Sequence, residues 1–239
     1  MFYEPNRSPY DLQFQWFGIP IRISPWFWFL AILLGAGANN AQGLVLWVAA
    51  VLVSILVHEL GHAVVLRHYG FDPRIVLYSF GGLTIHNRTH RLFWYENILI
   101  SFAGPLAGFL FLCLILGIFY LLGYHHVGNL VLGLFRSDVS LPIIVSPYMT
   151  YFLFYLVQVN LFWGILNLMP IFPLDGGQIT RELLQWFSPY RGFRWTMQIS
   201  MGVSLALALY FFSQGSFFAP VMFGMIAFSN YQMLQMYRS

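Results

Sequence analysis

The chain has 239 residues, of which 59% are hydrophobic and only 8% are charged, and its formal net charge is +3. Soluble domains carry roughly 25% charged residues, so this chain has too few polar groups to cover a water-exposed surface. A membrane protein needs no such cover, because lipid replaces water around most of it. The length suits one helical membrane domain over residues 1–239, with no separate soluble domain.

Six apolar segments are candidates for membrane-spanning helices, which need about 20 residues each. They cover approximately residues 24–38, 44–67, 97–123, 146–168, 197–213 and 217–236, and the first and fifth are short. The first ends at Ala36-Gly37-Ala38, which resembles a signal-peptidase site. The segment before it is long and aromatic-rich for a signal sequence, so we expect this span to be retained. The predicted fold is an all-α polytopic membrane protein with about six transmembrane helices.

The segment after the second span, residues 70–92, has the composition of a short β-hairpin. Gly70, Pro73 and the pair Gly81-Gly82 interrupt helical continuity. Residues 74–80 are rich in β-formers, and residues 83–85 can return as a second strand. We therefore predict a short membrane-associated hairpin over residues 74–85, at the cytoplasmic surface.

The basic residues, which are all arginines, predict the orientation of the chain. If the N-terminus is cytoplasmic, only Arg136 lies in an outside loop, as the positive-inside rule favours. The arginines in inside segments are then Arg7, Arg22, Arg67, Arg74, Arg88, Arg91, Arg181, Arg191, Arg194 and Arg238. We expect a multi-pass protein of the cell (inner) membrane with both termini in the cytoplasm. The chain has no basic run, so nucleic acid is not an expected partner.

The second span contains the sequence His58-Glu59-Leu60-Gly61-His62. Positions i and i+4 share one face of a helix, so both imidazoles can bind the same metal ion. Zinc lowers the pKa of a bound water to about 7, and Glu59 lies where it can accept the proton and pass it to a leaving amine. The pattern predicts a zinc hydrolase with Glu59 as the general base.

The alternative interpretation of this motif is a hydrogen-bonded polar cluster without a metal. Each ionisable group in an apolar span costs about 2.5–3.5 kcal/mol at the bilayer centre. Ser or Thr would make structural hydrogen bonds at a lower cost, so the cluster favours a metal site. The single cysteine, Cys113, excludes a cysteine-based zinc site and an intramolecular disulfide.

A catalytic zinc site needs a third protein ligand, for which Asp175 is the candidate. Pro170 and Pro173 break the helix before it, and Gly176-Gly177 permits close approach after it. A broken helix at membrane depth is tolerated only where it is buried in protein or lines a wet cavity. The alternative is that Asp175 caps a short cytoplasmic helix that starts near Gln178, a role that suits aspartate equally well.

The two motifs together resemble the site-2 protease family of intramembrane zinc metalloproteases. The resemblance covers roughly residues 44–187 and rests on His58-Glu-Leu-Gly-His62 and on Asn167-x-x-Pro-x-x-Pro-Leu-Asp175-Gly176. It implies that His58, His62 and Asp175 bind one zinc ion per chain, with Glu59 as the general base. It also implies that Asn167 steadies the substrate carbonyl or oxyanion.

The sequence Ser101-Phe-Ala-Gly-Pro-Leu-Ala-Gly108 resembles the Gly-Pro motif of the same family, although some members have Asn where this chain has Gly108. Small residues four apart let two membrane helices approach closely, so we favour a packing role for Gly104 and Gly108 over a catalytic one. Asn160 is expected to hydrogen-bond a neighbouring helix. The histidines expected to be solvated or hydrogen-bonded, and not ligands, are His68, His86, His90, His125 and His126. Glu182 is expected to be solvated, on a short cytoplasmic helix over 178–187.

The resemblance implies hydrolysis of single-span membrane proteins, often membrane-tethered regulators of transcription already trimmed by another protease. Expected partners are these substrates and membrane lipid, and the active site is expected toward the cytoplasmic side. A substrate helix must unwind before cleavage, and the hairpin over 74–85 offers edge pairing to the unwound strand. The rival function is a non-catalytic zinc-binding membrane protein or a metal transporter. Transporters distribute polar groups along a path, whereas here they cluster at one depth and include a base.

Overall fold

The structure is a computed structural model that describes residues 6–37, 40–79, 81–87 and 91–237. Five residues used in the sequence argument lie outside these ranges, namely Ala38, Phe80, Arg88, His90 and Arg238. The elements in chain order are β1 (Leu12–Trp16), β2 (Ile19–Ile23), α1 (Pro25–Leu34), α2 (Ala41–His68), β3 (Pro73–Tyr78), β4 (Gly81–His86), α3 (Trp94–Leu121), α4 (Asn129–Leu132), α5 (Pro147–Asn167), α6 (Asp175–Phe187), α7 (Gly192–Ser213) and α8 (Phe218–Met236).

Within the described ranges, four helices are long and apolar enough to cross a membrane: α2, α3, α5 and α7. Helix α7 begins at Gly192, earlier than the sequence predicted, and so is not short. Helix α1 has 10 residues and covers about 15 Å, half the hydrocarbon thickness of a bilayer. The four long helices support an integral membrane protein, while a crossing by α1 or α8 stays a prediction.

Helix α2 carries the histidine motif and has clear signals at both ends. The side chain of its N-cap, Asn40, accepts a 2.7 Å hydrogen bond from the backbone N–H of Gly43, which satisfies one of the free donors of the first turn. Beyond the last residue, His68, the backbone of Gly70 has a φ of +80°, a conformation that glycine adopts without strain. The chain then turns into β3.

The four strands form one sheet in the order β1-β2-β3-β4. Two antiparallel pairs, β1–β2 and β3–β4, are joined by parallel pairing of β2 with β3, in which Ile21 lies opposite Ile75. The sequence analysis predicted the β3–β4 hairpin but missed β1 and β2. Since β2 pairs with β3, edge pairing by the hairpin over 74–85 can involve only β4. Among the described strands, β1 and β4 are the edges.

The sheet is held against α2 by an apolar layer. The core cluster contains Val51 and Ile55 of α2 together with buried apolar residues of the sheet, namely Ile19, Ile21, Ile23, Ile75 and Leu77. Arg22 of β2 is buried as well. Because side chains alternate along a strand, one face of the sheet lies on the helix that carries the histidines. This packing fixes the distance from β4 to the motif.

The chain divides into two compact units. The first comprises Met1–His90 with Ala103–Gly164, and the second comprises Arg91–Phe102 with Ile165–Ser239. The first unit holds the histidine motif, and the second holds Asn167 and Asp175. The single-domain organisation over residues 1–239 stays a prediction.

Candidate metal centre

His58, Glu59 and His62 form one buried cluster on α2. Their ligand-type atoms all lie within 4.8 Å of one another, and the Nε2 atoms of the two histidines are 3.2 Å apart. The exposed fractions of the three residues are 4%, 4% and 7%, so water does not screen them. In the described part of the chain, this is the one group of three side chains of this kind. Two imidazole nitrogens this close on one helix face can bind a single ion.

Helix α3 leaves room for the two imidazoles at Gly104. A Cβ at this position would overlap Nε2 of His62 and crowd Nε2 of His58. The imidazoles can lie this close to the backbone of α3 because position 104 has no side chain. Two imidazole nitrogens with a carboxylate beside them are a donor set that fits a zinc ion.

Close packing of α2 against α3 brings Gly104 to the histidines. A Cβ at Gly61, inside the motif, would overlap the carbonyl oxygen of Ala103. At Gly108, one turn beyond Gly104, a Cβ would have only Oδ1 of Asn160 within contact range, at 3.3 Å. The sequence analysis expected packing roles for both glycines. The structure distinguishes them, since Gly104 makes room for the donor atoms and Gly108 lies beside a structural amide.

Glu59 is held by strand β4. The hydroxyl of Thr84 donates a 2.7 Å hydrogen bond to Oε2 of Glu59 and lies 3.1 Å from the Glu59 carbonyl oxygen. A Cβ at Gly82 would overlap the Glu59 carboxyl group, so this glycine lets the strand approach the acid. The sequence analysis missed both contacts. Its only signal was the pair Gly81-Gly82, which was interpreted as an interruption of helical continuity.

Tyr78, at the end of β3, is also affected by Glu59. Burial and the charge of Glu59 raise the pKa of Tyr78 to about 12, so its phenol keeps its proton at neutral pH. The sheet thus places the neutral phenol of Tyr78 and the hydroxyl of Thr84 near Glu59 of α2.

In the second unit, Asp175 is the first residue of α6 and is buried, with 8% of its surface exposed. The N-cap is Leu174, which makes no side-chain capping hydrogen bond. The interpretation of Asp175 as the cap of a helix starting near Gln178 is therefore wrong, because the helix begins at Asp175 itself. A carboxylate in the first turn lies at the positive end of the helix dipole.

The first turn of α6 lies directly against the proline-containing loop that precedes it. A Cβ at Gly176 would overlap the backbone of Leu168, and a Cβ at Gly177 would overlap the backbone of Ile171 and Phe172. The two glycines thus allow the backbone of the loop to touch the helix that carries Asp175. Asn167, the last residue of α5, is buried with 6% exposed.

The remaining polar residues lie outside the cluster. Asn160 donates 2.8 Å hydrogen bonds to Ser54 of α2 and to the carbonyl of Leu156, which confirms the interhelical role expected of it. Glu182 forms an ion pair with Arg181 at 2.7 Å. The described histidines that the sequence analysis set aside, His68, His86, His125 and His126, are not members of the cluster.

Comparison with known proteins connects this arrangement to peptidases. The model of peptidase family M50 matches residues 46–211 of this chain, a range that includes both motifs. A zinc metalloprotease of Methanocaldococcus jannaschii is 31% identical over 202 residues, which are 82% of this chain and 51% of that protein. Stage IV sporulation protein FB of Bacillus subtilis is 26% identical over 192 residues, which are 80% of this chain and 56% of that protein. The chain thus spans about half the length of these curated relatives.

The fold is similar to a solved structure of a site-2 protease from Methanocaldococcus jannaschii. The TM-score is 0.58 at 24% identity, and the superposition covers 94% of this chain and 95% of the other. This similarity extends over nearly the whole of both chains, so it concerns the fold as a whole and not one motif.

Proposed function

Since the chain belongs to peptidase family M50, we propose that it is a zinc protease that hydrolyses peptide bonds within or beside membrane-spanning segments. The observation that carries this proposal is the buried cluster of His58, Glu59 and His62 on a helix able to cross a membrane. Gly104 lets the two imidazoles lie against the backbone of α3, and Thr84 donates a hydrogen bond to the acid.

His58 and His62 are the proposed ligands on α2, and Asp175 is the proposed third ligand of one zinc ion per chain. The motif around Asp175 supports this assignment, as do its burial and its place in the first turn of α6. When bound, zinc polarises a carbonyl oxygen and lowers the pKa of a coordinated water. Asn167 is proposed to donate a hydrogen bond from its amide to the substrate carbonyl oxygen as negative charge develops there.

Glu59 is proposed to carry the proton. Its carboxylate accepts a proton from the attacking water and delivers it to the leaving amine, so one C–N bond breaks and one water is consumed. The hydrogen bond from Thr84 orients the carboxylate and leaves its other lone pairs for this transfer. A base beside two ligands favours a hydrolase over a transporter, because holding or moving zinc does not require it.

Strand β4 is the proposed binding edge for an unwound substrate. A substrate helix satisfies its own backbone groups, so it must unwind before a peptide bond becomes accessible. An added strand would pair with β4 at about 4.8 Å, on the strand whose Gly82 and Thr84 contact Glu59. This edge replaces the whole hairpin as the proposed docking element.

The substrate class and the membrane setting are further parts of the proposal. Single-span membrane proteins fit a catalytic group on a spanning helix, and regulated proteolysis of membrane-tethered transcription regulators fits the family resemblance. His58 lies about ten residues before the end of α2, which is roughly 15 Å at helical rise. In this proposal the protein lies in the inner membrane, surrounded by lipid, with both termini in the cytoplasm. The active site then lies in the cytoplasmic half of the bilayer.

The test is cleavage of candidate single-span proteins by the purified chain in lipid vesicles, beside the double variant His58→Ala/His62→Ala. The proposal expects products from the wild type alone. Identical product patterns for both proteins would remove the protease function and favour the zinc-binding alternative.

A further inference from the structure

The backbone N–H and C=O of Phe172 are both hydrogen-bonded to side chains of helices that follow it in the chain. Its N–H donates a 2.7 Å hydrogen bond to Oγ of Ser200 on α7. Its carbonyl accepts a 2.7 Å hydrogen bond from Nδ2 of Asn230 on α8. The guanidinium of Arg181 lies over the Phe172 ring, 5.6 Å from its centroid. Phe172, in the loop before Asp175, thus has contacts at its backbone N–H, at its backbone carbonyl and at its ring.

Ser200 and Asn230 are both fully buried, at 0% exposure. The Ser200 hydroxyl also lies 3.4 Å from the carbonyl oxygen of Pro170, so it bridges two residues of the loop. A buried polar side chain in an apolar helix is destabilising unless its hydrogen bonds are made. The Ser200 hydroxyl bonds to the loop, whereas Nδ2 of Asn230 bonds both to the loop and to the carbonyl of Ile226 in its own helix. Oδ1 of Asn230 has no hydrogen-bond partner among the described residues.

The loop needs hydrogen-bond partners from other helices because its prolines interrupt regular backbone hydrogen bonding. Pro170 and Pro173 have no backbone N–H, and they end the regular hydrogen bonding of α5. The peptide of Phe172 lies between these two prolines and obtains its partners from other helices. Irregular backbone at membrane depth requires partners within the protein.

Movement of the loop reaches Asp175 through direct backbone contact. Only two residues separate Phe172 from Asp175, and a Cβ at Gly177 would overlap the backbone of Phe172. The backbone of Phe172 therefore lies directly against the first turn of α6, which carries Asp175.

We propose that Ser200 and Asn230 are positioning residues for Asp175, which they place by clamping the Phe172 peptide. This proposal rests on the assignment of Asp175 as a zinc ligand. Hydrogen-bond partners that orient metal ligands typically change metal affinity by 10–100-fold when removed. Ser200→Ala and Asn230→Ala should each weaken zinc binding by about 10-fold.

The experiment measures zinc affinity of the purified chain by competition with a chelator, in parallel with the unfolding temperature. Ser204→Ala is the matched control, because Ser204 is also fully buried on α7 but its Oγ has no hydrogen-bond partner among the described residues. We expect a lower zinc affinity in Ser200→Ala and Asn230→Ala and an unchanged affinity in Ser204→Ala. The two variants act from different helices, so misfolding of one leaves the other to decide.

A double-mutant cycle with Asp175→Asn separates this proposal from the one on which it rests. If Ser200 acts through Asp175, Ser200→Ala should have little further effect on zinc affinity once Asp175→Asn is present. Weaker zinc binding in Asp175→Asn with wild-type affinity in both clamp variants would overturn the positioning role alone. Wild-type zinc affinity in Asp175→Asn would show that Asp175 is not a ligand. The positioning role of Ser200 and Asn230 would then be wrong as well.

Discussion

The hydroxyl of Thr84 donates a 2.7 Å hydrogen bond to Oε2 of Glu59. An edge strand thus contacts the acid that lies between two histidines on a helix long and apolar enough to cross a membrane. The contact links the proposed proton carrier to the strand that is proposed to receive the substrate. Several measurable consequences come from this link and from the packing around it.

Thr84→Val should impair cleavage while zinc stays bound. Valine keeps the shape of threonine but removes the donor to Oε2, and a hydrogen bond to a charged group contributes about 1.5–3 kcal/mol. We expect kcat to fall roughly 10–100-fold, measured on a single-span substrate, with zinc content measured by elemental analysis. Thr196→Val is the control, since the Thr196 hydroxyl is bonded to Gly192 within its own helix. Unchanged kcat in Thr84→Val would show that the hydrogen bond does not orient the base.

Gly104→Ala should lower zinc content and activity far more than Gly108→Ala. The added methyl group at position 104 would overlap the two imidazoles and displace them, whereas at position 108 it meets a single amide oxygen. Metal analysis and cleavage assays on both variants test this difference. Equal zinc content in the two would mean that ion binding does not depend on the place of the imidazoles against Gly104.

The sequence alone predicted the histidine motif but not the contact that Thr84 makes with it. The motif at residues 58–62 was readable because helical spacing fixes which residues share a face. The contact from Thr84 was not, since it depends on the β3–β4 register that places Thr84 opposite Ile75 and on the packing of that sheet against α2. Register and packing are set by contacts between distant segments, which local patterns do not encode.

The N-terminal strands and the start of α6 illustrate the same limit. Residues 12–16 alternate apolar and polar side chains, as a strand would. Their partner β2 pairs in turn with β3, which follows in the sequence only after the whole of α2. The sequence predicted a helix start near Gln178, whereas in the structure the helix begins at Asp175. The glycine pair at 176 and 177 lets its first turn touch the preceding loop.

Proline substitutions on β4 should change cleavage more than substitutions on β1. Proline removes a backbone donor, so at Leu83 or Ile85 it should weaken pairing of a substrate strand with β4. Gln13→Pro on β1, the opposite edge of the sheet, is the control. The readouts are cleavage of several substrates and zinc content, which should stay constant. Wild-type cleavage of every substrate by the β4 variants would rule out strand addition there.

The orientation of the chain can be tested with reporter fusions. The arginine distribution predicts that both termini are cytoplasmic and that residues 124–145 lie outside. Reporters that are active on only one side of the membrane should therefore give opposite results at the C-terminus and in this loop. A loop reporter active only in the cytoplasm would reverse the orientation and the assigned depth of the site.

The most direct test of the protease assignment is Glu59→Gln, measured for zinc content and cleavage in one preparation. Glutamine keeps the size of the side chain and a hydrogen-bonding oxygen for Thr84, but it cannot accept the proton from water. Zinc should remain, because Glu59 is not a proposed ligand, and cleavage should fall by about 10²–10⁴-fold. Full cleavage by a zinc-loaded Glu59→Gln protein would contradict the account, because another group would then carry the proton.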